Sequence, residues 1–169
     1  QMRFFLFREV PFGNDGDFSK DAIAQRVNAD LSNNFGNLIQ RISSFIVKNS
    51  DSKVNKPAEF IDDDKNLLNQ YDEALNNYLT NMNSYSIDKA LKNIFEFLSL
   101  VNTFVDNQAP WSLKKTDPVR MEEVLYVVAI LIIKSSILLL PIIPSSIKKV
   151  LSIFSLSVEE INLSKIQNF

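Results

Sequence analysis

The chain has 169 residues, enough for one domain with a short attachment and a sizeable core. Its net charge of -2 gives no overall basic field, so an anionic partner would have to be held by a local patch. The absence of cysteine excludes disulfides and thiolate ligands and suits a reducing compartment. The absence of histidine removes the commonest general base and the commonest metal ligand. We therefore expect no metal site and no cofactor in this chain.

Residues 1–18 form the first segment, and they are rich in aromatic residues and turn formers. The run "FFLF" at 4–7 is typical of a strand or an extended apolar strip, and "GNDGD" at 13–17 is typical of a turn. The chain opens on Gln1 without a charged-then-apolar leader, so we expect no signal peptide and a longer parent. Residues 1–18 are predicted to be a linker that packs against a preceding domain, and residues 19–169 to be a helical domain.

The helical domain is predicted to hold about five helices, at 19–49, 63–82, 87–106, 119–140 and 145–154. Polar residues that can accept from the first turn precede four of them; they are Ser19, Ser86, Asp117 and either Ser145 or Ser146. Polar loops are predicted at 49–57 and 106–118. The fold class is an all-α bundle preceded by a short extended linker.

Gly36 lies inside the first predicted helix, where glycine costs ~1 kcal/mol relative to alanine. Leu31, Phe35, Leu38 and Ile42 form an apolar seam around it. We therefore expect Gly36 to permit the close approach of another backbone.

The segment 124–143 is apolar enough to raise the alternative of a membrane-spanning helix. Lys134 lies in the middle of it, and a charge at that depth costs ~3 kcal/mol on insertion scales. The remaining helices are amphipathic and need a partner that covers them. The central helix of a bundle, with no membrane contact, is the preferred interpretation.

Catalysis is not indicated by the residues of this chain. "DDD" at 62–64 is interpreted as a solvated first helical turn favoured by the helix dipole. The three glycines do not stand in a phosphate-binding loop, and serine without histidine excludes the usual hydrolase triad.

One helical stripe borders the apolar seam without belonging to it. Asn37, Arg41, Ser44 and Lys48 share this stripe, and Asn33 lies one turn before Asn37. A flat amide and a flat guanidinium fork suit the edges and faces of nucleic-acid bases. An ordinary hydrated helix face is the commoner explanation of such a pair, and the residues alone favour RNA only weakly.

The predicted loop at 106–118 carries the only tryptophan, Trp111, after Pro110. Lys114 and Lys115 follow closely, so a stacking surface lies beside positive charge. Unpaired bases are held by stacking worth ~1–3 kcal/mol each. A lone tryptophan in a bundle loop is more often a core or lid residue, and that alternative stays open.

Four segments in order resemble the carboxy-terminal part of the methionyl-tRNA synthetase family. They are "MRFFLFREVPFGNDGDFS", "RVNADLSNNFGNLIQR", "APWSLKK" and "LLLPIIP", and the resemblance covers residues 1 to about 156. It implies the family's helical domain that recognises the CAU anticodon of methionine tRNAs.

The resemblance also implies roles for individual residues. Asn37, Arg41 and Trp111 would contact anticodon bases, with Trp111 stacked on the first one and Pro110 shaping its loop. Asn33 and Lys114 are added as neighbouring candidates for tRNA binding.

The parent implied by the resemblance is an ATP-dependent ligase that attaches methionine to tRNA, located in the cytoplasm. Its ATP motifs and zinc-binding insertion are not found in this sequence, so the chain is expected to be inactive alone. Its partners would be the anticodon loop of methionine tRNA and its own catalytic domain. The tail "SVEEINLSKIQNF" shows no appended RNA-binding barrel, which favours a monomer.

The alternative is a helical protein-interaction module with no RNA role. Its signature would be an exposed apolar groove, which the "FFLF" strip could supply.

Overall fold

The structure, a computed structural model, describes residues 1–11, 13 and 18–158. Its elements are helical throughout the described part of the chain, and they follow one another in the order α1 (Met2–Glu9), α2 (Lys20–Arg26), a π-helical segment (Val27–Gly36), α3 (Asn37–Asn49), α4 (Asp62–Asn83), α5 (Ile87–Gln108), α6 (Pro110–Thr116), α7 (Pro118–Leu139) and α8 (Pro144–Ile153). The all-α fold class is confirmed. The predicted tail "SVEEINLSKIQNF" lies mostly outside the described residues.

The prediction of an extended segment at 1–18 is wrong for residues 2–9, which form α1. Phe4 and Phe5 are fully buried, and the Phe4 ring packs edge-on against Phe95 of α5 at 5.5 Å between ring centroids. Phe4 and Phe5 of the "FFLF" run are therefore buried within this chain, whereas Leu6 is 46% exposed and lines a surface pocket together with Phe7. Of the predicted turn, Gly13 has a φ of 88°, as a turn requires, and residues 14–17 lie outside the described part.

The first long helix spans the predicted range but changes its winding at Val27–Gly36, where the structure is π-helical. Asn34, in this stretch, is held by α5: its amide donates to the Phe95 carbonyl and the Ser99 hydroxyl, both at 2.9 Å. The Asn102 amide donates in turn to the Asn34 side-chain oxygen at 2.9 Å. These bonds fix the segment against its neighbour, so the α3 helix that follows starts from an anchored position.

Gly36 explains how the π-helical winding is accommodated. A Cβ atom at this position would lie 2.8 Å from the carbonyl oxygen of Leu31, five residues earlier. We expected the close approach of another backbone at Gly36. The backbone that lies close is instead that of its own helix, at Leu31.

The core is organised around α7, which is buried on nearly all sides. Helices α3, α4, α5 and α8 pack against it. Lys134 is a partly buried charge in the apolar part of this helix: its ammonium lies 5.4 Å from the centroid of the Tyr71 ring, and burial lowers its pKa. None of the helices within residues 1–11 and 18–158 combines the length and apolar character that a bilayer-spanning helix needs.

The helix caps were predicted in part. Ser19 accepts from the Ala22 amide at 3.1 Å, and Asp117 accepts from the Arg120 amide at 3.0 Å. Ser86 precedes α5 as predicted, but its side chain does not cap the helix. The prediction of Ser145 or Ser146 for α8 is wrong, because that helix already begins at Pro144.

The interpretation of "DDD" as a wholly solvated turn is also wrong. Asp62 and Asp63 are exposed, but Asp64 is fully buried and accepts two hydrogen bonds of 2.7 Å from the Arg120 guanidinium. This two-pronged ion pair joins the start of α4 to the start of α7. The hydrogen bond to Asp64 is the main reason that the pKa of Arg120 is raised.

Gly36→Ala is expected to lower the free energy of unfolding by up to about 2 kcal/mol, because the added methyl group overpacks the Leu31 carbonyl at a cost of about 1–3 kcal/mol. This outweighs the ~1 kcal/mol that alanine gains in helix propensity. Urea unfolding followed by circular dichroism measures the effect. Gln40→Ala, an exposed change in α3, is the control and should stay within about 0.5 kcal/mol of wild type. A more stable Gly36→Ala chain would contradict the steric role of the glycine.

Tyr78 is expected to make the fold sensitive to alkali. Burial raises the pKa of its phenol from 10.0 to about 12, and the hydroxyl donates to the Leu138 carbonyl at 2.8 Å. The unfolded chain ionises this group near 10, so its contribution is complete below pH 10 and is lost as the pH rises towards 12.

Urea unfolding at about pH 8 and at about pH 11.5 gives the loss in the free energy of unfolding. This loss should be smaller by roughly 1–3 kcal/mol in Tyr78→Phe than in the wild-type chain. Tyr85→Phe serves as the control because this ring is 72% exposed. An alkaline loss of the same size in Tyr78→Phe and wild type would refute the assignment.

Candidate nucleic-acid interface

Three helices meet at the candidate interface: α3, the end of α5 and the start of α6. Arg41 of α3 donates from Nη2 to Oδ1 of Asp106, in the last turn of α5, at 2.6 Å. The guanidinium carbon of Arg41 also lies 5.5 Å from the centroid of the Trp111 ring in α6. The indole and the guanidinium are thus neighbours on the outside of the bundle.

Local backbone chemistry explains why Trp111 points outward. Ala109 ends α5 in the left-handed region, with φ of 44° and ψ of 62°. Pro110 follows as the first residue of α6, a position that suits its fixed φ and its missing amide hydrogen, and its side chain is buried. Trp111 comes next and is 46% exposed. The buried proline anchors the turn while the indole stays accessible.

The predicted loop at 106–118 is therefore corrected to a tight turn and a short helix. Of the alternative of a core or lid residue, the core part is excluded because Trp111 is 46% exposed. Pro110 is the buried first residue of α6, directly before Trp111, and its role in shaping this segment for RNA stays a prediction.

The contacts that hold Arg41 in place are weak enough for a ligand to replace. Asp106 is largely exposed, and exposed ion pairs contribute ~0.2–1 kcal/mol. A cation–π contact at an exposed site contributes ~0.5–1 kcal/mol. Arg41 is thus orientated by its neighbours without being locked to them.

Free polar groups surround this pair. Asn33, Asn37 and Lys114 are exposed, and within the described residues their side chains form no hydrogen bond or ion pair. Asn34 differs because its amide is fully used in holding α5. Two asparagines of one short stretch are thus open to a ligand, and the third is structural.

The predicted site residues are brought together unequally. Arg41, Trp111 and Pro110 meet at one place, whereas Asn37 and Lys114 lie elsewhere on α3 and α6, and Asn33 lies in the π-helical segment before α3. Sequence reasoning missed Asp106, which holds the guanidinium. Its signal was the acidic residue at the end of an apolar helix, five positions before Trp111.

The fold and this surface together define an all-α binding domain whose exposed flat side chains suit unpaired bases. Comparison with known proteins agrees with that class. Residues 54–166, more than half of the chain, match the family model described as the anticodon binding domain of methionyl tRNA ligase. Residues 1–43 match the model for tRNA synthetases class I (M).

Curated relatives support the same family. The methionine–tRNA ligase of Brucella suis biovar 1 is 44% identical over 160 residues, which cover 95% of this chain and 31% of that protein. The corresponding ligase of Rickettsia conorii is 40% identical over 163 residues, covering 95% and 32%. The chain thus spans about a third of the length of these relatives.

Solved structures extend the likeness to three dimensions. The apo form of Mycobacterium tuberculosis methionyl-tRNA synthetase has a TM-score of 0.92 and 35% identity, and the match covers 97% of this chain and 34% of that chain. The same enzyme in complex with methionyl-adenylate also scores 0.92. The chain belongs to the family of anticodon-binding domains of methionyl-tRNA synthetase.

Arg41→Met is expected to increase acrylamide quenching of Trp111 fluorescence, since the guanidinium that lies against the indole is lost. The free energy of unfolding should fall by no more than about 1 kcal/mol because the ion pair is exposed. Lys48→Met, an exposed change further along α3, is the control and should alter neither quantity. Unchanged quenching in Arg41→Met would show that the pair is not in contact in solution.

Proposed function

We propose that this chain recognises the CAU anticodon of methionine tRNAs through the surface formed by Trp111, Arg41 and Asn37. The observation that carries the proposal is the contact of Arg41 with an exposed Trp111, in a domain of this family. Anticodon bases are unpaired and therefore offer the faces and edges that such side chains bind.

Trp111 is proposed to stack on the first anticodon base. Its ring is nearly half exposed, and the turn at Ala109 and Pro110 fixes where it stands. Stacking on an aromatic side chain contributes ~1–3 kcal/mol per base.

Arg41 and Asn37 are proposed to hold or read the neighbouring groups. The exposed bond to Asp106 can be exchanged for one to RNA at small cost. The Asn37 amide offers one acceptor and two donor hydrogens, which can pair with a base edge. Asn33 extends this polar surface, and Lys114 supplies positive charge near the backbone.

We propose that the whole protein attaches methionine to tRNA with ATP, in the cytoplasm. The support is the similarity to methionine–tRNA ligases and to a structure described with methionyl-adenylate. Among the described residues no group of acidic side chains fits a zinc ion, and we assign no step to zinc or ATP in this chain. The monomeric state and the contact with a catalytic domain stay predictions; sedimentation of the full-length protein would test the first.

Trp111→Ala is expected to weaken binding of a methionine-tRNA anticodon stem–loop by about 1–3 kcal/mol, because the stacking surface is lost. Fluorescence anisotropy of a labelled stem–loop measures the affinity at a fixed low salt concentration. Ser112→Ala, at the exposed neighbouring position of α6, is the matched control and should bind like wild type.

Changing the first anticodon base is expected to weaken binding to the wild-type chain by about 1–3 kcal/mol, the usual scale for one good base contact. Equal binding of the two anticodons by the wild-type chain would contradict the proposed reading of that base. Equal affinity of Trp111→Ala and wild type would contradict the role of the indole. Co-purification of a protein partner without stem–loop binding would favour the protein-interaction module.

A further inference from the structure

Arg120 bonds to the residues on both sides of α6, the short helix that carries Trp111. Its Nη2 atom donates to Oε1 of Gln108, the last residue of α5, at 3.0 Å. Its backbone amide donates to Oδ1 of Asp117, the residue that follows α6, at 3.0 Å. The Arg120 side chain therefore holds the residue at the end of α5, and its backbone amide is bonded to the residue between α6 and α7.

Arg120 is itself firmly placed. Asp64 is 0% exposed and binds the guanidinium through both carboxylate oxygens at 2.7 Å. Glu123, one turn later in α7, adds a bond at 3.3 Å. The Arg120 guanidinium is thus held by a buried carboxylate in α4, and this helix packs on the core helices α5 and α7.

Gln108 carries this restraint to the tryptophan. Both ends of its side-chain amide are used: the oxygen accepts from Arg120, and the nitrogen donates to Asp63 at 3.1 Å. Only Ala109 and Pro110 separate it from Trp111. Proline has a fixed φ, and Ala109 lies in the left-handed region. The backbone between Gln108 and Trp111 therefore has little torsional freedom.

We propose that Arg120 is a positioning residue for Trp111, acting through Asp64 on one side and Gln108 on the other. It does not itself touch RNA in this proposal. The effect of Arg120 on the indole does not depend on RNA binding, whereas the consequence of that effect for RNA binding rests on the proposed function.

Two variants test the proposal in the full chain. Arg120→Lys keeps a positive charge against Asp64 but lacks the planar fork needed to serve Asp64 and Gln108 together. Gln108→Met keeps the length of the side chain and removes both hydrogen bonds of its amide. Gln108 is half-buried, so this change should disturb the fold less than a change at a fully buried position. Arg8→Lys is the matched control: the Arg8 side chain is 14% exposed, against 12% for Arg120, and pairs with Asp30 at 2.9 Å.

The primary measurement is made without RNA. Trp111 is the only tryptophan, so acrylamide quenching and time-resolved anisotropy report on this one side chain. Both test variants should show stronger quenching and faster local motion of the indole. The Arg8→Lys control should show neither of these two changes, even if its melting temperature falls. The stem–loop dissociation constant should then rise by up to about tenfold in the test variants, because binding has to order an indole that the lost hydrogen bonds no longer hold in place.

Wild-type quenching and anisotropy in Gln108→Met and Arg120→Lys would overturn the proposal, whatever their melting temperatures. A mobile indole with unchanged stem–loop affinity would overturn its consequence for recognition. A mobile indole in a chain whose wild type binds no stem–loop would instead refute the proposed function and leave the positioning intact.

Discussion

The burial of α7 is the constraint on which the rest of the structure depends. A helix that is apolar on nearly all sides is stable in water only when other helices surround it. Helices α3, α4, α5 and α8 do so with their apolar faces, and this fixes which of their side chains remain outside. Arg41 faces outward because Leu38 and Ile42, its neighbours on α3, are buried. The interface is thus a consequence of how the core is covered.

Long helices were predictable from the sequence because their signals are local. Asp117 and Pro118 place the start of α7, and Ser19 places the start of the first long helix. Helix α1 was not predictable in this way, since so short a segment is not stable alone and depends on the burial of Phe4 and Phe5. Local patterns therefore predicted the elements that carry their own start signals, and missed one that the tertiary structure stabilises.

The candidate site was predictable in its members but not in its internal contacts. The resemblance to the family pointed to Arg41 and Trp111, which are 70 positions apart in the sequence, and the structure brings them together. The carboxylate partners of Arg41 and Arg120 were not found, and for Arg120 the reason is that a carboxylate in an acidic run looks the same whether it is exposed or buried. Asp64 became distinguishable from Asp62 only when the packing of α4 was known.

The π-helical segment has a consequence for how the gene can vary. Asn34 is anchored to α5, and seven positions later Arg41 must arrive beside the indole. In α-helical geometry each residue turns the following side chains by roughly 100°. Deleting a single codon between these two positions would therefore swing the guanidinium to a different side of α3, even if every helix survived. The number of residues between Asn34 and Arg41 is therefore fixed, in addition to the buried side chains of Phe35, Leu38 and Ile39 that lie between them.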